Sequence, residues 1–239
     1  MHGITANAHV FEPMADLLAG RFRITAIDQR GHGRAQKPAS GYAARDYAQD
    51  IDDFLSEKTL LIGHSLGARN ALVAGARYPE KVAAVVAIDF APFIEEEVFD
   101  VLDSRVSGGD RAFASIEEIR AYLKNRYPRL PADAIDRRAR HGYEYVDGKW
   151  LPLAAPAAMR ETCEGLREDL MPVLFNIAVP VLLLRGEDSK VVSREAWAKT
   201  RALRPDLRAL EIADADHYVP EEQPAAVAAA VLDFWDSIQ

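Results

Sequence analysis

Short, almost wholly apolar runs recur along this chain, and helix-length segments separate them. The runs that we interpret as strands are residues 23–27, 59–62, 82–88, 181–184 and 208–212. Continuous apolar strands are typical of a parallel sheet that helices cover on both faces. The intervening segments with an apolar stripe are 11–18, 47–55, 66–78, 194–203 and 224–238. The pattern therefore predicts an α/β fold with a mostly parallel sheet flanked by helices.

The character of the chain changes between residues 90 and 170. Pieces such as "SIEEIRAYLKNRYPRLP" are charged and helix-periodic, contain prolines and lack a strand signal. We therefore predict that residues 90–170 form a helical cap inserted over the carboxyl edge of the sheet. Residues 1–89 and 171–239 would form the core.

Composition excludes several classes of protein. The formal net charge is -8, whereas a nucleic-acid binder needs clustered basic side chains to displace counterions. Cys163 is the only cysteine, so neither a disulfide framework nor a cysteine-based zinc site is expected, and a reducing cytoplasm is the simplest location. The apolar runs are strand-length, far short of the roughly 20 residues of a membrane helix. We expect no nucleic-acid partner and no membrane association.

A candidate nucleophile lies in "LLIGHSLGARNAL", where an apolar run passes directly into a helical one. A sharp strand-to-helix turn forces its central residue, Ser65, toward positive φ, and bulky neighbours two positions away would collide there. Gly63 and Gly67 remove that collision. The hydroxyl of Ser65 would then stand above the sheet at a helix amino end, where backbone N–H groups favour developing negative charge.

With this turn, the chain resembles the α/β-hydrolase family over essentially its whole length. The segment "HGITANAHVFEP" is similar to the oxyanion loop of that family, "DQRGHG" to its loop after the fourth strand, and "DADHY" to the segment with the catalytic histidine. The resemblance implies that the backbone N–H groups of Leu66 and Ile4 form the oxyanion hole, and that no metal or organic cofactor is needed. Serine at position 65 disfavours the dehalogenases and epoxide hydrolases of the family, which carry aspartate there.

Serine is a poor nucleophile unless a base accepts its proton, and histidine is the usual base near neutral pH. Of the six histidines, His217 follows the last strand, at the same sheet edge as Ser65, and comes last in the order serine, acid, histidine. We therefore predict that His217 is the general base.

Two aspartates compete for the role of the acid that orients His217. The family usually carries its acid three residues after a glycine that follows the seventh strand, but position three after Gly186 is Ser189, and Asp188 comes one residue early. Asp89 directly follows the buried run 82–88, where an acid is costly unless a partner receives it. Some α/β hydrolases place the acid at this strand, and we favour Asp89 over Asp188.

The prediction of an anionic substrate rests on a local excess of basic residues. Residues 105–142 hold nine Arg or Lys against five Asp or Glu, a balance that can attract an anion, although exposed helix faces with paired charges would give the same count. Within the family, "HGIT", "IDQRGHG" and "AIDF" resemble a hydrolase of a small dicarboxylate amide. That resemblance implies that Arg105 and Arg126 bind carboxylates and that Tyr127 and Tyr218 flank the pocket.

Two alternative functions and the oligomeric state remain open from the sequence. The chain could be a general carboxylesterase or lactonase with a hydrophobic pocket, in which the two arginines only stabilise the cap. It could also be a ligand sensor on a hydrolase scaffold, which the apparently complete serine, histidine and acid set argues against. The expected partner is a small molecule, and a homodimer is an open alternative to a single chain.

The amino terminus differs from the family pattern. The family places a central strand before the His-Gly of the oxyanion loop, whereas here the chain starts at Met1, His2 and Gly3. We therefore expect that the sequence lacks an amino-terminal segment of two or three strands.

Overall fold

A computed structural model describes residues 1–239. The six strands are β1 (Thr59–His64), β2 (Val82–Ile88), β3 (Tyr143–Val146), β4 (Lys149–Pro152), β5 (Val181–Gly186) and β6 (Arg208–Ile212). The eleven α-helices are α1 (Glu12–Leu18), α2 (Ala44–Phe54), α3 (Leu66–Arg77), α4 (Glu96–Gly109), α5 (Ile116–Arg126), α6 (Ala132–His141), α7 (Pro156–Leu166), α8 (Met171–Asn176), α9 (Arg194–Leu203), α10 (Val219–Glu222) and α11 (Pro224–Ser237). A single 3-10 turn, Ala8–Phe11, precedes α1.

Four parallel strands form the main sheet in the spatial order β1, β2, β5, β6. Ile88 at the end of β2 is in register with His64 of β1 and with Leu184 of β5, and Gly186 is in register with Ile212 of β6. Parallel strands end at the same edge, so the residues that follow β1, β2, β5 and β6 come together there. This edge is where the candidate catalytic residues meet.

The sheet separates two hydrophobic clusters. Val85 and Leu183 point into a cluster shared with α2, α3, α8 and α9. Val86 and Leu184, each the next residue along its strand, point into the cluster shared with α1 and α11. Because successive side chains of a strand alternate between faces, both faces must be covered for a wholly apolar strand to be buried. The predicted α/β fold with helices on both sides is confirmed.

The prediction of a strand over residues 23–27 is wrong. These residues pair with no strand, and Ile24 is 39% exposed. At this edge of the sheet, β1 hydrogen bonds outward only to Met1, whose carbonyl accepts from the backbone of His64 at 3.0 Å and whose amine donates to the carbonyl of Ile62 at 2.7 Å. A β-prone segment becomes a strand when a neighbour satisfies its backbone groups, and residues 23–27 have no such neighbour.

The expectation that residues 90–170 contain no strands is also wrong. α4 to α7 lie in this region, but β3 and β4 form an antiparallel hairpin between α6 and α7. Asp147 and Gly148 connect the two strands with φ values of 48° and 82°. A two-residue Asp-Gly turn with two consecutive positive φ angles is a strong hairpin signal, so the dipeptide in the sequence could have predicted this hairpin.

Residues 90–170, which we call the inserted region, have a hydrophobic cluster of their own. Its buried members come from α5, α6 and the loops beside them and include Phe113, Ile119, Leu123 and Ile135. Tyr127 belongs to the same cluster, and Tyr218 from the core packs against it. The contact between this region and the core therefore lies beside the loop that carries His217. None of the helices has the length and apolar character that a membrane span requires.

Candidate active site

The turn between β1 and α3 has the strained geometry that the sequence predicts. Ser65 has φ 53° and ψ -116°, and its backbone N–H donates to the carbonyl of Ile88 at 2.8 Å. A Cβ added to Gly63 would lie 2.1 Å from the carbonyl oxygen of Gly67, and one added to Gly67 would lie 2.2 Å from that of Met1. The two glycines therefore allow the close backbone approach on which the turn depends.

Asp89 and His217 come together at the carboxyl edge of the sheet. The Nδ1 atom of His217 lies 2.7 Å from Oδ2 of Asp89, a carboxylate that is 1% exposed. The backbone N–H of Gly186 donates to Oδ1 of Asp89 at 2.9 Å. A buried carboxylate that accepts these hydrogen bonds can hold a histidine ring in one orientation and stabilise its protonated form.

Ser189 is a functional candidate that reasoning from the sequence missed. Its hydroxyl donates to Oδ2 of Asp89 at 2.6 Å and accepts from the backbone N–H of Val192 at 3.0 Å. The signal was present, since Ser189 occupies the position where the family usually carries its acid. Asp188, one residue earlier, points away and pairs with Arg129 at 2.8 Å.

His64 links the nucleophile turn to the loop of His217. Burial lowers the pKa of His64 well below its ordinary value, so that the ring is neutral near pH 7. Its Nε2 atom lies 2.7 Å from the carbonyl oxygen of His217 and donates to it. The residue before Ser65 therefore fixes the backbone of His217 directly.

The segment that would form the oxyanion hole lies against Ser65. Leu66 is the first residue of α3, so its N–H belongs to the helix amino end. A Cβ added to Gly3 would lie 3.3 Å from Cβ of Ser65, which places the backbone before Ile4 in contact with the serine. Thr5 follows with φ 62°. Both proposed donors thus belong to segments beside Ser65.

Arg126, one of the two arginines predicted to bind carboxylates, contacts the backbone of the other, Arg105. Nη1 of Arg126 donates to the carbonyl of Arg105 and to the phenol of Tyr122, both at 3.0 Å, and its Nε donates to the phenol of Tyr127 at 2.9 Å. All of these acceptors are uncharged oxygens, and neither arginine forms a salt bridge within the chain. The guanidinium of Arg126 has no carboxylate partner and lines a cavity, so it is suited to bind an external anion. Arg105 meets it through the backbone carbonyl, and its own side chain is exposed.

The aromatic rings connect these arginines to the catalytic edge. The ring of Tyr127 packs edge-to-face on that of Tyr218 at 4.9 Å, and Tyr218 packs on His217 at 5.1 Å. Burial would raise the pKa of Tyr127, but the guanidinium groups of Arg138 and Arg126 outweigh it and lower that pKa.

A cavity of about 60 Å³, partly open to solvent, lies between the inserted region and the core. Arg126, Tyr127 and Arg138 line it, as does Thr5 of the oxyanion loop, whereas Ser65 and His217 do not. The cavity thus reaches the neighbour of Ile4. Of the four residues predicted to bind substrate, Arg126 and Tyr127 line it, and Arg105 and Tyr218 do not.

One group of side chains has the composition of a metal site. His9, Glu12 and His141 have ligand atoms within 4.8 Å of one another. However, the two imidazole rings are stacked with centroids 3.7 Å apart and planes inclined by only 13°. A metal bound by histidine lies about 2 Å from the ring nitrogen and close to the plane of the ring. Because these two ring planes are nearly parallel and far apart, no position lies about 2 Å from both nitrogens and close to both planes. The group is a hydrogen-bonded stack rather than a metal centre.

The chain belongs to the alpha/beta hydrolase family, whose model matches residues 1–230. Among the relatives it matches is 2-(acetamidomethylene)succinate hydrolase of Mesorhizobium japonicum, which is 50% identical over 240 residues, covering 99% of this chain and 86% of the relative. The crystal structure of E-2-(acetamidomethylene)succinate hydrolase superposes with a TM-score of 0.97 and 50% identity, over 98% of this chain and 89% of that one. Esterase YbfF of Escherichia coli is 28% identical over 246 residues, covering 97% of this chain and 89% of the esterase.

Proposed function

We propose that this chain is a serine hydrolase that cleaves the amide bond of a small dicarboxylate, with 2-(acetamidomethylene)succinate as the first substrate to test. The observation that carries the proposal is the contact between Asp89 and His217 at 2.7 Å, at the sheet edge where the strained turn presents Ser65. The relative of that name, half of whose aligned residues are identical, supports the choice of substrate.

In the proposed mechanism, Oγ of Ser65 attacks the carbonyl carbon while Nε2 of His217 accepts its proton. Asp89 accepts a hydrogen bond from Nδ1 of the ring and stabilises the imidazolium that forms. The backbone N–H groups of Leu66 and Ile4 donate to the oxygen that becomes negative, and losing one such donor typically costs about 3 kcal/mol of transition-state stabilisation. The imidazolium then protonates the leaving nitrogen, and a water molecule repeats the sequence on the acyl-enzyme.

The cap supplies the proposed recognition of the substrate. We infer that residues 90–170 act as a cap in which Arg105 and Arg126 bind the two carboxylates and Tyr127 donates to one of them, with Tyr218 beside the base. No metal or organic cofactor takes part in these steps. The buried single thiol of Cys163 is consistent with a reducing compartment, and the cytoplasm is the proposed location.

The test compares two substrates in three proteins. The specificity constant kcat/KM is measured with the dicarboxylate amide and with p-nitrophenyl acetate for the unaltered chain, for Arg126→Ala and for Arg120→Ala, which removes a cap arginine that pairs with Asp136. Arg126→Ala should lower kcat/KM for the dicarboxylate by about 10- to 100-fold, the worth of a hydrogen bond to a charged group, and leave the neutral ester nearly unchanged.

The rival function is a general carboxylesterase, and the 28% identical esterase is the observation that favours it. A chain that hydrolyses the neutral ester well and the dicarboxylate poorly, with both reactions indifferent to Arg126→Ala, would be such an esterase. In that case the two arginines serve only the packing of the cap.

A further inference from the structure

A buried ion pair connects the inserted region to the loop that follows His217. Arg138, on α6, donates from Nε to both carboxylate oxygens of Glu221 on α10, at 2.9 and 3.1 Å, and also from Nη2. The side chains are 7% and 2% exposed. The partners lie 83 residues apart in the chain, so this contact exists only when the cap is packed on the core.

The guanidinium of Arg138 also lies over two tyrosine rings. Its central carbon is 4.7 Å from the ring centre of Tyr127 and 5.1 Å from that of Tyr218. Cations within about 6 Å of an aromatic face are attracted by its negative charge distribution. Tyr218 in turn packs on the ring of His217 at 5.1 Å. A continuous series of contacts thus runs from the cap to the base.

The same arginine reaches the backbone of this loop through Glu221. The N–H of Glu221 donates to the carbonyl of Tyr218 at 2.9 Å, which closes the first turn of α10 immediately after His217. Arg138 therefore constrains Tyr218, the residue next to His217, in two ways. It contacts the ring of Tyr218 directly, and through Glu221 it constrains the backbone carbonyl of Tyr218.

Stability alone does not account for such a pair. Two charges removed from water lose hydration that their attraction only partly returns, and apolar pairs of similar volume are often as stable or more stable. Burial would lower the pKa of Arg138, but Glu221 and the two phenols more than reverse this, so the group keeps its charge. A permanent cation with a planar fork can fix an acid and two rings in one geometry.

We propose that Arg138 is a positioning residue that holds the loop of His217 in its productive place through Glu221 and Tyr218, so that the cap must be seated before the base can act. The proposal rests on the proposed function, in which His217 takes the proton from Ser65. It differs from the carboxylate binding assigned to Arg105 and Arg126, since Arg138 acts through its own protein partners.

The decisive variant removes both charges together. Arg138→Met/Glu221→Met leaves no unpaired buried charge, so it should fold with a melting temperature at or above that of the unaltered chain. The measurements are kcat for the dicarboxylate amide and the rate at which a small fluorophosphonate labels Ser65. Labelling needs the serine and its base but not the carboxylate-binding arginines. Both rates should fall on the order of tenfold or more, because small misplacements of catalytic groups carry penalties of this size.

A matched control and a conservative variant make the result interpretable. Arg120→Gln/Asp136→Asn removes an ion pair that joins α5 to α6 inside the cap and does not reach the core, and it should keep both rates. Arg138→Lys keeps a charge opposite Glu221 but loses the planar fork and the stacking on the rings. Arg138→Lys should fold, and both kcat and the labelling rate of Ser65 should again be reduced. If the double variant does not fold, Arg138→Lys alone tests whether Arg138 positions the loop of His217.

Full labelling and full kcat in a folded Arg138→Met/Glu221→Met, or in Arg138→Lys where only that variant folds, overturn the positioning role. The proposed function fails separately, if Ser65→Ala still hydrolyses the dicarboxylate or if the fluorophosphonate labels a residue other than Ser65. When Ser65→Ala is inactive and the Arg138 variants are fully active, only the inference about Arg138 falls.

Discussion

At the scale of single residues, the structure distinguishes sharply between two aspartates that lie close to the same sheet edge. Asp89 has φ 51° and directs its carboxylate to His217. Asp188 lies at the end of the neighbouring β5 and pairs with Arg129 across an exposed surface. The preference for Asp89, which the sequence suggested from its place after a buried strand, stays a prediction about catalysis.

Asp89→Asn should lower kcat by about four orders of magnitude, because an amide cannot stabilise the imidazolium and can impose the wrong tautomer on the ring. Asp188→Asn is the control and should change kcat by less than about twofold, since an exposed ion pair contributes little. Steady-state kinetics on both variants checks the assignment, and the reverse order of effects would give the role of the acid to Asp188.

Ser189→Ala should lower kcat by roughly tenfold and the free energy of unfolding by about 1 kcal/mol, because Asp89 loses a donor and the N–H of Val192 loses an acceptor. Ser115→Ala is matched to it: Ser115 caps α5 by accepting from the N–H of Glu118, so its loss should cost a similar stability of about 1 kcal/mol without changing kcat. Equal kcat values in the two variants would show that Ser189 only stabilises the fold.

At the scale of secondary structure, an apolar run is a strand only where another strand lies beside it to share its backbone hydrogen bonds. The runs over 59–62, 82–88, 181–184 and 208–212 are strands, because each lies beside another strand of the sheet. Residues 23–27 have the same apolar, β-branched character but no strand beside them. The hairpin of β3 and β4 was not predicted, because its strands are short and mostly exposed and so lack an apolar run. Its Asp-Gly turn was the signal that could have predicted it.

The turn that carries Ser65 depends on glycine at both flanking positions. Gly63→Ala should lower the free energy of unfolding by roughly 3 kcal/mol, because the added Cβ meets the backbone of Gly67, which cannot move without disrupting α3. Gly108→Ala, in α4 with open space around its Cα, should be neutral or stabilise by up to about 1 kcal/mol. Urea unfolding of the two variants measures the difference, and equal stabilities would contradict the steric account of the turn.

At the scale of the whole molecule, the chain buries several histidines that lie outside the proposed proton transfer. His32 is fully buried, and burial lowers its pKa to about 4. Burial lowers the pKa values of His2 and His64 as well. Each of these rings is neutral in the folded chain near pH 7, whereas the unfolded chain would bind a proton at each as the pH falls below about 6.5.

Between pH 6.5 and about 4, the unfolded chain therefore binds more protons at His32 than the folded chain does. The free energy of unfolding should fall with decreasing pH in this window, by about 1.4 kcal/mol per pH unit for each such histidine. Urea unfolding at pH 7.5, 6.5 and 5.5 measures the slope. His32→Gln should have a shallower slope by about one proton, and parallel slopes for the two proteins would contradict the buried neutral state of His32.

The sequence by itself determined the core strands of the parallel sheet, the glycine-flanked turn of Ser65 and the place of His217 after the last strand, because hydrophobic burial and local backbone sterics are properties of neighbouring residues. The sequence favoured Asp89 over Asp188, but only the tertiary structure decided that its carboxylate meets His217, that Ser189 donates to it and that Arg138 of the inserted region reaches Glu221. These partners are far apart in the chain, and their side chains meet only after the sheet has aligned its strand ends and the inserted helices have packed over them. Local propensity carries no information about such meetings, since they depend on the register and packing of whole elements.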